Sequence, residues 1–259
     1  AEDGIRDIGV TGVQTCALPI LIAVYKESGN QNIRPNTITY ATVMDAFARL
    51  GDVEGANKVW KMMKGDFHSG NKYAKPNVQA YSILIDAWAK SENQSAPTEA
   101  ELLLKEMIEL YNKQELDQGP NTISYGIVIN CWSKSNRPEA PQRALDILKT
   151  MISVYKEAGN ENIRPNEITY NSVLDAHARQ GDVQGANEVF KLMKEDVHSG
   201  NKRAKPDVRT YSILIDAQAK SDNQNAPIEA ESLLKEMIDL YIKGELERSP
   251  DAVTYGSVI

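Results

Sequence analysis

Basic side chains recur at a constant distance from a recurring tyrosine. A lysine or arginine stands nine residues after each of five tyrosines, at Arg49, Lys90, Lys134, Arg179 and Lys220. If the tyrosines mark equivalent places in successive structural units, these cations form a column along one edge of a groove. Such a column could contact the phosphates of a nucleic-acid backbone. Each cation could equally be a helix C-terminal residue favoured by the helix dipole, and both interpretations stay open.

Residues suited to catalysis do not occur in a recognisable pattern. The three histidines, His68, His177 and His198, stand at no metal-ligand spacing, and the two cysteines, Cys16 and Cys131, cannot form a cysteine zinc site. The sequence has no glycine-rich phosphate loop and no nucleophile elbow. The carboxylates recur with the repeat, as solvated faces do. These observations predict a protein that is not an enzyme, needs no cofactor and binds no small-molecule substrate.

The recurring tyrosines belong to an internal repeat with two length scales. Residues 35–129 match residues 165–259 at 63 of 95 positions. Within each half, shorter repeats open on a proline followed by Asn or Asp, and these prolines are 41, 44, 45, 41 and 44 residues apart. We therefore expect complete repeats at residues 35–75, 76–119, 120–164, 165–205 and 206–249, and a truncated sixth at 250–259.

Each repeat carries two apolar stripes with the spacing of a helix face. In the first repeat these stripes are Tyr40, Val43, Met44 and Phe47, and then Ala56, Val59, Trp60 and Met63. A proline at each repeat boundary cannot continue the preceding helix. One hairpin of helices A and B cannot bury both stripes, so neighbouring hairpins must stack. The predicted fold is all-α, a right-handed α-solenoid of stacked helix-turn-helix repeats.

The column that begins with Phe47 holds residues of several kinds. Its members in the five repeats are Phe47, Trp88, Trp132, His177 and Gln218. We interpret the aromatic members as core residues and not as stacking platforms for bases.

The composition is that of an ordinary folded protein with an acidic balance. Charged residues make up 25% of the chain, and the formal net charge is -7. A negative total argues mildly against nucleic-acid binding, although most of the negative charge lies outside the helix A segments. No run of 18 apolar residues occurs, so no membrane-spanning helix is expected.

The repeat resembles the pentatricopeptide repeat. The resemblance rests on the Pro-Asn/Asp-x-x-Thr-Tyr opening and is clearest in "PNEITYNSVLDAHARQGDVQGANEVFKLMK" from Pro165. It covers residues 21–259, although these repeats are longer than the family's, mainly by about six residues in helix B and its exit. The resemblance implies binding of single-stranded RNA with one base per repeat. It also implies a role in organellar RNA processing, stability or translation, in a mitochondrion or plastid.

The resemblance assigns base-reading residues to this chain. One follows each tyrosine and its partner follows the proline of the next repeat: Ala41 with Asn77, Ser82 with Asn121, Gly126 with Asn166, Asn171 with Asp207, and Ser212 with Asp251. The resemblance implies that Asn171 with Asp207 reads uracil, Ser212 with Asp251 guanine, and Ser82 with Asn121 adenine. Ala41 and Gly126 have no polar side chain, so their repeats should discriminate poorly.

The resemblance also assigns apolar residues that sandwich the base. These are Ile38, Ile123, Ile168 and Val253, whereas Gln79 and Arg209 depart from the pattern in the second and fifth repeats. An Asn or Asp beside a helix start is also a common N-cap, which is the structural alternative for the partner residues.

Two other functions compete with RNA binding. The same architecture serves protein-binding scaffolds such as tetratricopeptide arrays, so protein partners stay possible, but the W-x2-L-G-x2-Y pattern of that family is missing. A catalytic domain beyond Ile259 would make these repeats the RNA-binding arm of an enzyme.

The first twenty residues do not follow the repeat. Residues 21–34 match residues 151–164 at 10 of 14 positions, whereas residues 1–20 match residues 131–150 only at Leu18. The segment "VTGVQTCALPI" resembles a translated sequencing adapter. We expect residues 1–20 to be non-native and to pack against nothing specific, residues 21–34 to be the remnant of a preceding helix B, and any targeting signal to be lost.

Overall fold

The chain is helical throughout the part that is described. The computed structural model describes residues 8–221 and 223–256, and describes side chains from Leu18 onward except that of Val253. These residues form helices, short 3-10 turns and connections, with no strand among them. They divide into two compact units, Ala1–Pro120 and Asn121–Ile259. The prediction of an all-α fold of helix-turn-helix repeats is confirmed.

The first unit contains two complete hairpins after a leading helix. Helix α1 spans Ile8–Ser28 and is followed by a 3-10 turn at Gln31–Ile33. Helices α2 (Thr37–Arg49) and α3 (Val53–His68) are helices A and B of repeat 1. After a 3-10 turn at Lys72–Ala74, α4 (Val78–Lys90) and α5 (Ala96–Asn112) form repeat 2.

The second unit contains three hairpins and the start of another. Helices α6 (Thr122–Lys134) and α7 (Ala140–Ala158) form repeat 3, and α8 (Glu167–Arg179) and α9 (Val183–His198) form repeat 4. Helices α10 (Val208–Ala219) and α11 (Ala226–Ile242) form repeat 5, and α12 (Ala252–Gly256) opens the sixth. The 3-10 turns of this unit are Glu161–Ile163 and Lys202–Ala204.

Helices A and B approach closely because a glycine lies at the contact. In repeat 4 a Cβ atom on Gly185 of α9 would overlap the ring of His177, and in repeat 1 a Cβ on Gly55 would overlap the ring of Phe47. In both repeats the turn after helix A contains a glycine in the left-handed region. It is Gly51 in repeat 1, with φ +70°, and the equivalent glycine in repeat 4. The "LGDVEG" turn therefore both reverses the chain and permits the close packing.

Helices A line the inner side of each unit. Successive A helices pack against one another, α2 on α4 in the first unit and α6 on α8 on α10 in the second. Successive B helices make no comparable contacts among the described residues. A row of hairpins whose A helices lie closer together than its B helices curves with the A helices on the concave side. Residues exposed on helix A therefore face a groove.

The recurring tyrosine anchors helix A in the core. Tyr40 is fully buried and donates its hydroxyl hydrogen to Asp66 Oδ2 at 3.1 Å. Asn71 donates to the same carboxylate at 2.6 Å and to the carbonyl of Pro35 at 2.8 Å. Burial and the adjacent carboxylate raise the pKa of Tyr40 well above its ordinary value. Repeat 4 has the same network, built by Tyr170, Asp196, Asn201 and Pro165.

The expectation that residues 1–20 pack against nothing is wrong at Leu18. Helix α1 runs through the sequence junction after Ile20, and Leu18 on it is only 3% exposed. Leu18 is the one residue of this segment that matches the repeat, and its equivalent, Leu148 of α7, is also buried. An apolar side chain at this position reaches the core whatever its neighbours are. The structure of residues 1–7 and the side chains of residues 8–17, on which this expectation also rests, lie outside the described part.

Candidate nucleic-acid interface

The predicted sandwich residues are unusually exposed for isoleucine. Ile38, Ile123 and Ile168 are 74%, 65% and 63% exposed, each in the first turn of a helix A. Isoleucine is usually buried in folded proteins. Its repeated exposure at one position of the repeat therefore indicates a surface that contacts a binding partner. The side chain of Val253, the fourth predicted member, lies outside the described part.

The residue after each proline is a helix N-cap. Asn77, Asn121, Asn166, Asp207 and Asp251 each accept a hydrogen bond from the backbone N–H three residues later, at 2.8–3.0 Å. The structural alternative is therefore present at every predicted partner residue. Because the cap occupies one side-chain oxygen, the second Asp oxygen or the Asn amide can still serve a ligand.

The residue after each repeat's tyrosine belongs to that repeat's helix A and faces the first turn of the following repeat's helix A. In repeat 5, Ser212 Oγ is 3.2 Å from Thr254 Oγ1, and Thr254 itself donates to Asp251. In repeat 3, a Cβ on Gly126 would lie 3.6 Å from a methyl carbon of Thr169, which is three residues after Asn166. The structure thus places Ser212 and Gly126 beside the threonine three positions after each predicted partner, although the members of each pair are about forty residues apart in sequence.

Repeat 4 has the most complete pair. Asn171 donates from Nδ2 to Asp207 Oδ1 at 3.0 Å, and its own Oδ1 is 2.8 Å from the hydroxyl of Thr210. Asn171 is only 3% exposed, whereas Asp207 is half-buried. The pair is therefore fixed before any ligand arrives, with Asp207 as its outer member. Sequence reasoning missed Thr210, although a hydroxyl three residues after an N-cap was visible as a capping box.

Repeat 1 has no such pair. Ala41 is 6% exposed and offers no polar group, and Asn77 is exposed with its oxygen bound to the Ala80 N–H. Ala80 occupies the place of Thr210, so no hydroxyl is available either. The prediction that this repeat discriminates bases poorly stays a prediction, but the side chains present offer a base few partners.

The basic column is largely paired with carboxylates of its own helices. Four of the five cations form ion pairs with an Asp four residues earlier: Arg49 with Asp45 at 2.8 Å, Lys90 with Asp86 at 2.6 Å, Arg179 with Asp175 at 2.8 Å, and Lys220 with Asp216 at 2.6 Å. Lys134 has Asn130 at that position and no carboxylate partner among the described residues. In unit 2 three cations face two carboxylates, so one positive charge stays uncompensated.

His177 replaces a core aromatic residue. Its ring is 3% exposed and Nδ1 lies 2.8 Å from Asp182 Oδ2, the N-cap of α9. Burial raises the pKa of Asp182, but hydrogen bonds from the Gly185 N–H and from His177 outweigh it and hold that pKa below its ordinary value. His177 therefore stabilises the turn between helices A and B.

Cys131 is an unreactive position in the groove helix α6. The residue is 6% exposed and unpaired, and burial raises the pKa of its thiol to about 11. No group of three or more His, Cys, Asp or Glu side chains in the described part could hold a metal ion. No described helix has the length and apolar character needed to span a bilayer.

This geometry defines two units of stacked helical hairpins, in each of which the A helices line a groove, and comparisons with known proteins identify the kind of hairpin. Residues 35–90 and 165–220 match the family model of the PPR repeat family. These two segments match pentatricopeptide repeats, and the predicted resemblance is confirmed. Each covers one whole hairpin and the A helix of the next, at equivalent places in the two halves. No curated protein sequence matches the chain significantly.

Two solved structures of proteins with such repeats align with this chain. The PPR domain of Arabidopsis thaliana protein-only RNase P 1, in complex with tRNA, aligns with a TM-score of 0.60 and 19% identity, over 83% of this chain and 92% of that one. The pentatricopeptide repeat protein PPR10, in complex with an 18-nt psaJ RNA element, aligns with a TM-score of 0.41 and 22% identity, over 92% of this chain and 34% of that one. The first similarity supports the fold.

Proposed function

We propose that this chain binds single-stranded RNA along the A helices that line the groove of each unit. The observation that carries the proposal is the coincidence, in repeat 4, of an exposed apolar residue with a fixed polar pair. Ile168 is 63% exposed one turn before Asn171, and Asn171 is bonded to Asp207. Residues three apart lie on the same face of a helix, so Ile168 and Asn171 lie on the same face of α8. Unpaired bases are recognised by apolar contact with their faces and hydrogen bonds to their edges.

The chemistry of the repeat 4 pair suits uracil. Asn171 keeps one amide hydrogen after bonding Asp207, and Asp207 keeps Oδ2 free of the cap. Together they offer a donor beside an acceptor, which matches a uracil carbonyl beside its N3–H. Asp207 is the more accessible of the two, so the base edge meets it first. The family resemblance favours uracil for the same two residues.

The other repeats contribute unequally in this proposal. Ser212 with Asp251 is assigned to guanine and Ser82 with Asn121 to adenine, whereas Ala41 with Asn77 and Gly126 with Asn166 read weakly. Ile38 and Ile123 supply apolar contact where the polar pair is poor. The basic column contributes to phosphate binding, with Lys134 as its uncompensated member and Arg49, Lys90, Arg179 and Lys220 held by their aspartates.

The proposal is tested with a fluorescein-labelled oligouridylate and the matching oligoadenylate. The full chain should bind both at low salt and prefer uridylate, as measured by fluorescence anisotropy. Asn171→Ser, for which the resemblance implies a preference for guanine, should reduce the preference for uridylate over adenylate, and Ala41→Ser serves as the matched control in repeat 1. Absence of binding to any single strand at low salt contradicts the proposal and favours a protein-binding scaffold.

The biological setting follows from the family resemblance alone. We infer that the chain acts on transcripts in a mitochondrion or plastid, in RNA processing, stability or translation, by binding and not by catalysis. Fractionation of a tagged full-length gene product with organelle markers tests this inference. A product found only outside both organelles contradicts it.

A further inference from the structure

Two equivalent linkers between helix B and the next helix A are basic. They are residues 69–76 in unit 1 and residues 199–206 in unit 2, and neither contains a carboxylate. Both lie at the exit of helix B, the region in which these repeats are longer than the family's. Each turns through a 3-10 segment that begins after a capping asparagine. Their cations are Lys72, Lys75, Lys202, Arg203 and Lys205.

Each linker is fixed beside the start of its own repeat's helix A. In unit 1, Asn71 donates to the carbonyl of Pro35 at 2.8 Å, and the Thr37 hydroxyl donates to the carbonyl of Lys75 at 2.7 Å. In unit 2, Asn201 donates to the carbonyl of Pro165 at 2.9 Å. The linkers therefore lie at the end of the groove where the exposed isoleucines and the polar pairs are found.

The linker cations are less compensated than the basic column. Lys205 is 3.4 Å from Glu245 and Lys75 is 3.9 Å from Asp117, which are long distances for exposed ion pairs that contribute little. Lys72, Lys202 and Arg203 have no carboxylate partner among the described residues. In the column, by contrast, four of the five cations are held at 2.6–2.8 Å by aspartates on the same helix.

The linkers are also nearer to the polar pair of repeat 4. Lys205 stands two residues before Asp207, which accepts the hydrogen bond of Asn171. Arg179 stands eight residues after Asn171 on α8, which places it about 12 Å further along the helix at a rise of about 1.5 Å per residue. Lys205 is therefore closer along the chain to this polar pair than the basic column is.

The unit 1 linker adds an aromatic ring to this surface. Tyr73 takes the place of Arg203, and its side chain is 52% exposed. The guanidinium of Arg34 lies 5.0 Å and the ammonium of Lys72 lies 5.6 Å from the ring centroid. Exposed aromatic rings beside cations are the side chains that tolerate any base of a single strand.

We propose that, in each unit, the phosphate backbone of a bound single-stranded RNA follows the basic linker, at the N-terminal ends of the A helices. This inference rests on the proposed RNA-binding function and assigns Lys72, Lys75, Lys202, Arg203 and Lys205 as its main phosphate contacts. The linkers supply affinity without base preference, because they contact only the backbone. The polar pairs beside them supply the preference.

The test compares two triple variants of the full chain that remove the same charge from the same unit. One is Lys202→Ala/Arg203→Ala/Lys205→Ala in the linker. The control is Lys156→Ala/Lys191→Ala/Lys235→Ala, three exposed cations on the B helices α7, α9 and α11. The affinity for a fluorescein-labelled oligouridylate is measured over a series of salt concentrations. Circular dichroism checks that both variants keep the wild-type helix content.

The linker variant should flatten the slope of log K against log salt by about 2, because each lost phosphate contact on a single strand removes about 0.7. It should keep the preference for uridylate over adenylate, and the control should keep the wild-type slope. A linker variant with the wild-type slope, or equal flattening by both variants, overturns the linker proposal while RNA binding stands. A wild-type chain that binds no single strand at low salt instead overturns the proposed function itself.

Discussion

Repeats 1 and 4 are duplicates that share a scaffold and differ at the groove. They are identical at 28 of 41 positions, and both have an A helix of 13 residues and a B helix of 16. The Tyr–Asp–Asn network, the cap of helix B and the linker bond to the opening proline recur with nearly the same distances. The pair that faces the groove changes from Ala41 and Asn77 to Asn171 and Asp207. Separate residues therefore specify the hairpin and its recognition surface.

The largest expected effect concerns the part that the two repeats share. Asp196→Ala removes the acceptor of both Tyr170 and Asn201, which are buried beside it. Each polar group left without a partner costs about 1–3 kcal/mol, so we expect a loss of about 3 kcal/mol in urea unfolding. Asp66→Ala should cost about the same in repeat 1. A clear inequality between the two variants contradicts a common scaffold. Asp196→Asn, which still offers an oxygen to Tyr170, should cost less.

A smaller effect should separate the turns of the two repeats. Asp52 and Asp182 both cap helix B, through hydrogen bonds from Gly55 and Gly185. Loss of an N-cap costs about 1 kcal/mol, which we expect for Asp52→Ala. Asp182→Ala also leaves His177 buried without its partner, so it should cost about 2 kcal/mol. Both costs are measured by thermal unfolding. In a His177→Phe background, the cost of Asp182→Ala should fall to the cost of Asp52→Ala in repeat 1.

The Asp182 contribution has a defined pH dependence. Because the pKa of Asp182 is lowered in the folded protein, its stabilising effect is complete above the pKa of the unfolded chain. The effect is lost as the pH falls through the lower, folded value. The destabilisation caused by Asp182→Ala should therefore shrink in acid relative to neutral pH, as measured by urea unfolding at both. An unchanged difference contradicts the ionised state of Asp182 in this pair.

The smallest effect concerns the basic column. Lys134 lacks the aspartate that holds Arg179, because Asn130 stands where repeat 4 has Asp175. Asn130→Asp should create that ion pair and weaken RNA binding, with the salt slope flatter by at most about 0.7. Asp175→Asn should free Arg179 and strengthen binding by a similar amount. Anisotropy titrations at several salt concentrations measure both effects. Stronger binding by Asn130→Asp together with weaker binding by Asp175→Asn would exclude the column from RNA binding.

Most of the scaffold could be predicted from the sequence, because it is built from periodic signals. The tyrosine and proline spacing predicts the hairpins, and the five A helices begin within two residues of the opening prolines. The position of Leu18 was predicted incorrectly, because the surrounding segment lacks the stripe while one apolar residue still reaches the core.

The candidate site could be predicted only in part. The sequence indicated which residues are adjacent across about forty positions, since stacking places equivalent positions side by side. The sequence did not reveal that Thr210 donates a hydrogen bond to Asn171 or that aspartates form ion pairs with the basic column. Such contacts depend on side-chain geometry within a turn. The linker cations were overlooked because no periodic pattern marks them as part of the groove.

The most direct test of the account is selection of preferred sequences from a random single-stranded RNA pool. We expect the wild-type chain to enrich uracil at the position read by repeat 4, and Asn171→Ala to abolish that enrichment with a loss of about 1 kcal/mol or more in discrimination. The transfer Ala41→Asn/Asn77→Asp/Ala80→Thr should create a second uracil-preferring position in repeat 1. Selected pools that are the same for wild type, Asn171→Ala and the transfer variant would contradict the claim that these side chains determine base preference.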